Sequence, residues 1–301
     1  MRRFAVLAFT MFLAAIAAPA MAAPAPIDTA LFDGPKTLAK LPNGETMAYV
    51  EAGPKDAPLV ILVHGYTDNG RDWAPLVPYL SGDFHLVVVD LRGHGQSSKP
   101  ECCYTRQDFA YDIKLLMDDL GARDADLVGH SLGSIVVQTF AEYWPERTRR
   151  VVLISSTGGR PPGEATGGFD FVSPILALKD PIDPNSPFMR AWWSSPTPVD
   201  EAFLTRQRED SAKIPASVWR AVIFQGLTGM ELQSTLPMLK APAMLIWGGK
   251  DPIIGEADRA SLTKALPAAA VKLYPDLGHN PFWEQPETVG RDITDFLRAT
   301  R

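Results

Sequence analysis

Six short, almost wholly apolar runs punctuate the chain: Pro58 to His64, Phe84 to Asp90, Ala125 to Val128, Arg150 to Ser155, Ala243 to Trp247 and Ala270 to Tyr274. Runs of this length without polar alternation predict strands buried on both faces of a parallel sheet. Between them, helical patterning predicts helices over 71–80, 105–120, 132–143, 255–266 and 284–298. Upstream, two extended stretches within 36–53 flank Asn43-Gly44, a strong hairpin signal. The fold class expected is α/β, with a mostly parallel central sheet, flanking helices and an antiparallel start. The alternation fails from Gly158 to about Pro237, which is rich in proline and aromatic residues with helical pieces at 201–210 and 217–227. That stretch, 158–237, reads as an inserted, mainly helical cap, leaving 23–157 and 238–301 as the core domain.

Sites in open α/β sheets lie outside the carboxyl ends of the strands, so the residues after each run are the ones that matter. After the third run stands Gly129-His130-Ser131-Leu132-Gly133. A serine on a sharp strand-to-helix turn is exposed for nucleophilic attack, and glycines two positions either side permit close chain approach. Read alone, the pentapeptide is equally a glycine-flanked turn with a capping serine. Gly248-Gly249-Lys250-Asp251 and Leu277-Gly278-His279 follow the last two runs, so the chain order is Ser131, Asp251, His279. In this arrangement His279 takes the serine proton and Asp251 holds its tautomer. The backbone N–H groups of Tyr66 and Leu132 are the expected oxyanion hole. Among the other histidines, His64, His94 and His130 sit in glycine-rich turns and His85 in a strand, where structural roles are expected. Asp90 and Arg92, within DLRGHG, are expected to form a loop-fixing ion pair. No carboxylate follows the strand before the cap, in Ser155 to Arg160, which leaves Asp251 as the acid.

Charge and cysteine usage narrow the partners. Met1-Arg2-Arg3, an uncharged apolar stretch from Phe4 to Ala18 and Ala20-Met21-Ala22 predict a secretory signal peptide over 1–22, and so a periplasmic or secreted protein without a stable membrane anchor. Removing Arg2 and Arg3 takes Lys plus Arg from 29 to 27 against 35 acids, moving the net charge from −6 to −8. This disfavours nucleic acid and polyanions. No Cys/His spacing of the zinc-ligand kind occurs, and neither a metal nor a cofactor is expected. Cys102 and Cys103 are the only cysteines. They are adjacent, and sequence leaves a vicinal disulfide and free thiols equally open.

The blocks HGYTDNGRDW, DLRGHGQSS, GHSLGS, WGGKDP and GHNPFWEQPE stand in an order that resembles the α/β-hydrolase fold family over essentially the whole chain after the leader. The resemblance implies a serine hydrolase that cleaves carboxylic esters through an acyl-enzyme on Ser131. It leaves lactonase, thioesterase, cofactor-free haloperoxidase or perhydrolase chemistry, and a non-catalytic ligand-binding role, as alternatives. The aromatic cap suggests a small-molecule ester with an apolar portion, with Trp192, Trp193 and Phe282 as candidate contacts. Packing within the cap explains its tryptophans equally well.

Overall fold

The computed structural model describes residues 24–159, 172–228 and 232–299; the leader expected at 1–22 and the cap residues Phe169 and Phe171 lie outside them. Eight strands form one sheet: β1 (Thr37–Lys40), β2 (Thr46–Ala52), β3 (Leu59–Val63), β4 (His85–Val89), β5 (Ala125–His130), β6 (Thr148–Ile154), β7 (Ala243–Gly248) and β8 (Ala270–Tyr274). Their spatial order is β1-β2-β4-β3-β5-β6-β7-β8. β1 and β2 pair antiparallel around Asn43-Gly44, with Lys40 opposite Thr46, and β2 joins β4 antiparallel. All later pairings are parallel. The apolar runs became the central strands because helices cover both faces: β5 and β7 are buried at every position. β8, the edge strand, is largely exposed.

Among the described residues the helices are α1 (Val77–Leu80), α2 (Arg106–Asp119), α3 (Leu132–Tyr143), α4 (Val172–Ala177), α5 (Pro187–Trp192), α6 (Glu201–Ser211), α7 (Ala216–Val222), α8 (Glu256–Ala265), α9 (Pro281–Glu284) and α10 (Pro286–Arg298). Thr105 starts α2 with a capping box: Thr105 Oγ1 accepts from Asp108 N, and Thr105 N donates to Asp108. The helix expected over 71–80 is instead a 3-10 turn, Gly70–Trp73, followed by the single turn α1. Pro75 and Pro78 lack the amide donors a continuous helix needs there. The helix expected over 284–298 divides at Gln285 into α9 and α10, again next to a proline. Between β6 and β7 the described chain is helical, α4 to α7, and α7 runs on into a π-helical turn, Ile223–Leu227.

The Asp90–Arg92 pair expected at the end of β4 does not form. Asp90 is saturated from other directions: it accepts from Lys36 Nζ at 2.5 Å, Gly70 N at 2.7 Å and Gln96 N at 2.8 Å. Arg92 points the other way and grips Asp112 of α2 through two bonds of 2.6 Å, while also donating to Cys103 O. A carboxylate already filled by backbone amides and a lysine has no room for a guanidinium fork. The fork instead ties the β4 turn to α2. Both ends of Arg92–Asp112 are buried, so removing one partner strands a charge. Asp112→Ala should lower unfolding stability in urea by about 3–5 kcal/mol, whereas Lys114→Ala, which breaks an exposed pair with Asp118 one turn along, should cost far less.

Candidate active site

β5 runs directly into α3 through Ser131, which adopts φ 49° and ψ −118°. A positive φ in a residue with a Cβ is strained by roughly 1–3 kcal/mol, and the surrounding bonds hold it. Ser131 N donates to Ile154 O at 2.9 Å, and Ser131 O accepts from Ser134 N at 2.9 Å. The flanking glycines are required by contact: a Cβ on Gly129 would lie 2.3 Å from Gly133 O, and one on Gly133 would lie 2.1 Å from Val63 O. The sharp turn lifts Ser131 to the carboxyl end of the sheet, half-buried. As the first residue of α3, Leu132 has an N–H without an intrahelical acceptor.

Two loops bring the acid and base together. Gly249 N donates to Tyr274 O and Lys250 N to Leu277 O, both at 2.8 Å, so the chain after β7 is bonded to the chain after β8. Asp251 and His279 therefore meet: His279 Nδ1 donates to Asp251 Oδ2 at 2.7 Å. The other oxygen, Oδ1, accepts from Ile253 N at 2.8 Å and Ile254 N at 3.0 Å. Burial works to raise the Asp251 carboxyl, but the charge and hydrogen bond of His279 and the two amides outweigh it and leave it below its ordinary value. With Nδ1 committed to the carboxylate, Nε2 is the ring atom left to take a proton. The imidazole lies beside the elbow, its centroid 5.0 Å from that of His130, which immediately precedes Ser131.

Two residues that sequence reasoning assigned no site role fix the backbone of His279. Ser155 Oγ donates to His279 O at 2.7 Å, and His130 Nε2 approaches the same oxygen at 3.1 Å. Ser155 stands where an alternative acid would have been, and a short donor there serves the base's backbone instead. On its other side His130 faces Asp68 and Asp72. Burial first, and then the neighbouring Asp72, push the Asp68 carboxyl well above the usual range.

Tyr66 lies in the turn after β3, closed by Asp68 N donating to Gly65 O and braced from below by Thr67 N donating to His94 Nε2 at 3.3 Å. From above, the helical segment between β6 and β7 holds it. Tyr66 Oη donates to Trp219 O at 2.7 Å, Trp192 Nε1 donates to Thr67 Oγ1 at 3.0 Å, and the Tyr66 ring meets Trp192 and Trp219 edge-on. Trp192 is thus half-buried against the turn after β3. Trp193 is stacked on Trp283, and Phe282 is enclosed between Trp73 and His130, so both are packing residues as placed here. Trp219 and Thr67, which sequence did not single out, take part in the cap contact. His64 Nε2 accepts from Leu91 N, and His85 meets Glu51. Cys102 and Cys103 are joined as a vicinal disulfide.

The model of the family described as alpha/beta hydrolase fold matches residues 58–286. Among curated relatives, 2-(acetamidomethylene)succinate hydrolase of Mesorhizobium japonicum is 29% identical, covering 80% of this chain and 88% of its own length. A putative non-heme chloroperoxidase of Synechocystis is 26% identical, over 79% of this chain and 91% of its own. In fold, the chain is similar to an esterase from Exiguobacterium antarcticum, with a TM-score of 0.78 at 16% identity, covering 88% of this chain and 100% of that one.

The brace beneath the turn after β3 carries a pH signature. Burial is the main reason that His94 falls from 6.5 to about 4, and burial likewise holds His64 well below its ordinary value. Between the two His94 values the unfolded chain binds the extra proton, so stability is full above about 6.5 and is lost as pH falls toward 4, by roughly 3 kcal/mol for this residue alone. Denaturant titrations at pH 7, 5.5 and 4.5 should show that decline. His94→Gln should be less stable at pH 7 yet lose less on acidification; an unchanged slope would contradict the assignment.

Proposed function

Because the chain belongs to the α/β-hydrolase fold family and holds a histidine bonded to a buried carboxylate beside a strained serine, we propose that it hydrolyses carboxylic esters by way of an acyl-enzyme on Ser131. The chain is a hydrolase enzyme of that family, and such enzymes act on small molecules. The observation that carries the finer reading is the 2.7 Å bond from His279 Nδ1 to Asp251, which leaves Nε2 as the base.

In the first half-reaction His279 Nε2 takes the Ser131 proton as Oγ adds to the ester carbonyl, and the N–H groups of Tyr66 and Leu132 receive the developing oxyanion. His279 then gives the proton to the departing alcohol. Water, deprotonated by the same nitrogen, attacks the acyl-enzyme and releases the acid, restoring Ser131. Asp251 stays ionised throughout and compensates the imidazolium, a role supported by its lowered carboxyl. The rings of Trp192, Trp219 and Phe188, grouped over the Tyr66 turn, support an ester with an apolar portion. A periplasmic or secreted location is supported by the leader-like residues 1–22 and by the disulfide, since disulfides persist in oxidising compartments.

Similarity to the chloroperoxidase favours one second reading, in which hydrogen peroxide replaces water on the acyl-enzyme and yields a peracid. Halogenation that depends on both peroxide and a carboxylate would reveal it.

Ser131→Ala should reduce kcat on a short p-nitrophenyl ester by about 10⁴-fold or more with unchanged circular dichroism, and should abolish labelling by a fluorophosphonate. Asp251→Asn should lower kcat by about 10³–10⁴-fold, because an amide cannot hold the tautomer or compensate the cation. A wild type with neither turnover on a panel of esters, lactones and thioesters nor labelling at Ser131 refutes the proposal.

A further inference from the structure

Behind the elbow, three polar side chains converge, and each keeps one enclosed atom without a hydrogen-bond partner among the described residues. Asp68 and Asp72 come from the segment after β3, and His130 from the end of β5, the two segments lying about sixty residues apart in sequence. All three are buried, and each can offer one ligand atom such that the three atoms lie within 4.8 Å of one another. Asp68 Oδ1, Asp72 Oδ2 and His130 Nδ1 are enclosed and lack a hydrogen-bond partner among the described residues.

The direction of the His130 lone pair follows from its other nitrogen. Nε2 lies 3.1 Å from His279 O, and a carbonyl can only accept, so Nε2 carries the hydrogen. In the neutral ring Nδ1 is then a bare lone pair, and it faces Asp72 Oδ2 at 3.6 Å and Asp68 Oδ2 at 4.0 Å. Those separations are too long for hydrogen bonds. They are what two ligands show when each stands about 2.0–2.2 Å from a common ion, roughly 3–4 Å apart. Asp72 is further aimed by Trp283, whose Nε1 donates to Oδ1 at 2.8 Å and leaves Oδ2 pointing inward. Gly65 keeps the neighbouring side open, since a Cβ there would sit 2.6 Å from Asp68 Oδ2 and 2.9 Å from His130 Nδ1.

We propose that Asp68, Asp72 and His130 form a binding site for a divalent transition-metal cation of the zinc class. One imidazole and two carboxylates make a mixed nitrogen and oxygen set, which suits zinc and its neighbours, whereas calcium and magnesium take oxygen. The two carboxylates balance the charge of the ion. The N–H on the far side of the ligating ring, donated to a backbone carbonyl, is the usual outer partner of a metal-bound histidine. Here that carbonyl belongs to His279, so the ion would order the loop that carries the base. The site lies behind the nucleophile, and its role is structural rather than that of a water activator.

The test uses untagged full-length protein stripped with a chelator and titrated with Zn²⁺, read by calorimetry and elemental analysis independently of hydrolysis. One equivalent per chain should bind and saturate, the melting temperature should rise, and millimolar Ca²⁺ should not displace it. Asp68→Asn and Asp72→Asn should each weaken binding at least tenfold, while Asp276→Asn on the surface should not. Failure of the wild type to take up one saturable equivalent overturns the proposal whatever the variants do, as does uptake that both Asp68→Asn and Asp72→Asn leave intact. Because uptake is read without substrate, neither result depends on whether Ser131 turns over an ester.

Discussion

The catalytic end of the sheet depends on how closely α3 approaches β3. A Cβ on Gly133 would lie 2.1 Å from Val63 O and 2.4 Å from His64 O, so only glycine lets the helix begin there. That approach bends the chain sharply at Ser131 and gives it the positive φ that a serine ordinarily avoids. It also brings the start of α3 against the end of β3 and the turn that follows it. The turn at Ser131 and the placement of the Leu132 amide therefore share one steric cause. Strain at Ser131 persists because Ile154 O, on the adjacent strand, accepts its amide while α3 takes up its carbonyl.

The histidine is fixed from a different direction. Loops after β7 and β8 are bonded to each other through Gly249 and Lys250, and the close contact of Gly248 with Gly278 O, where a Cβ would lie 2.0 Å away, admits no side chain. Two donors, Ser155 and His130, converge on the His279 carbonyl, and Glu284 accepts from Gly278 N at 2.6 Å. An imidazole on a loop would lose its aim if its backbone moved by an ångström. Here His130 at the end of β5, Ser155 just after β6 and Glu284 of α9 each contribute a tether, so His279 is positioned largely by the sheet although it does not belong to it.

Much of this was legible in the sequence, for a physical reason. Strands buried on both faces must be apolar throughout, so their ends are visible, and Ser131 and Asp251 follow two of them, while His279 follows β8, a short edge strand that is legible as a run although it is largely exposed. What stayed hidden depends on approach through space. Arg92 looked like the partner of Asp90 because they are near neighbours in the chain, but Asp90 is filled by Lys36 and two amides and Arg92 reaches α2. Asp68, Asp72 and His130 have no motif spacing, because folding alone brings the segment after β3 and the end of β5 together. Ser155 and Thr67 are unremarkable as residue types and acquire roles only from what lies opposite. The broken helix at 71–80 is a different kind of miss: its prolines were in view, and periodicity outweighed them.

The contact of α5 and α7 with the turn after β3 adds a constraint that the Asp251–His279 pair alone does not impose. Tyr66 donates through its hydroxyl to Trp219 O, and Thr67, at φ 68°, accepts from the Trp192 indole. His94 and His64 hold the same turn from the sheet side, both through backbone amides. A turn with a left-handed residue has few bonds of its own; Asp68 N to Gly65 O, at 3.4 Å, is long. Its conformation is therefore set jointly by the sheet below and the cap above. A displacement of α5 or α7 acts directly on Tyr66 and Thr67, to which Trp219 and Trp192 are bonded. The backbone at Tyr66 and Thr67 is in this way mechanically linked to Trp192 of α5 and Trp219 of α7.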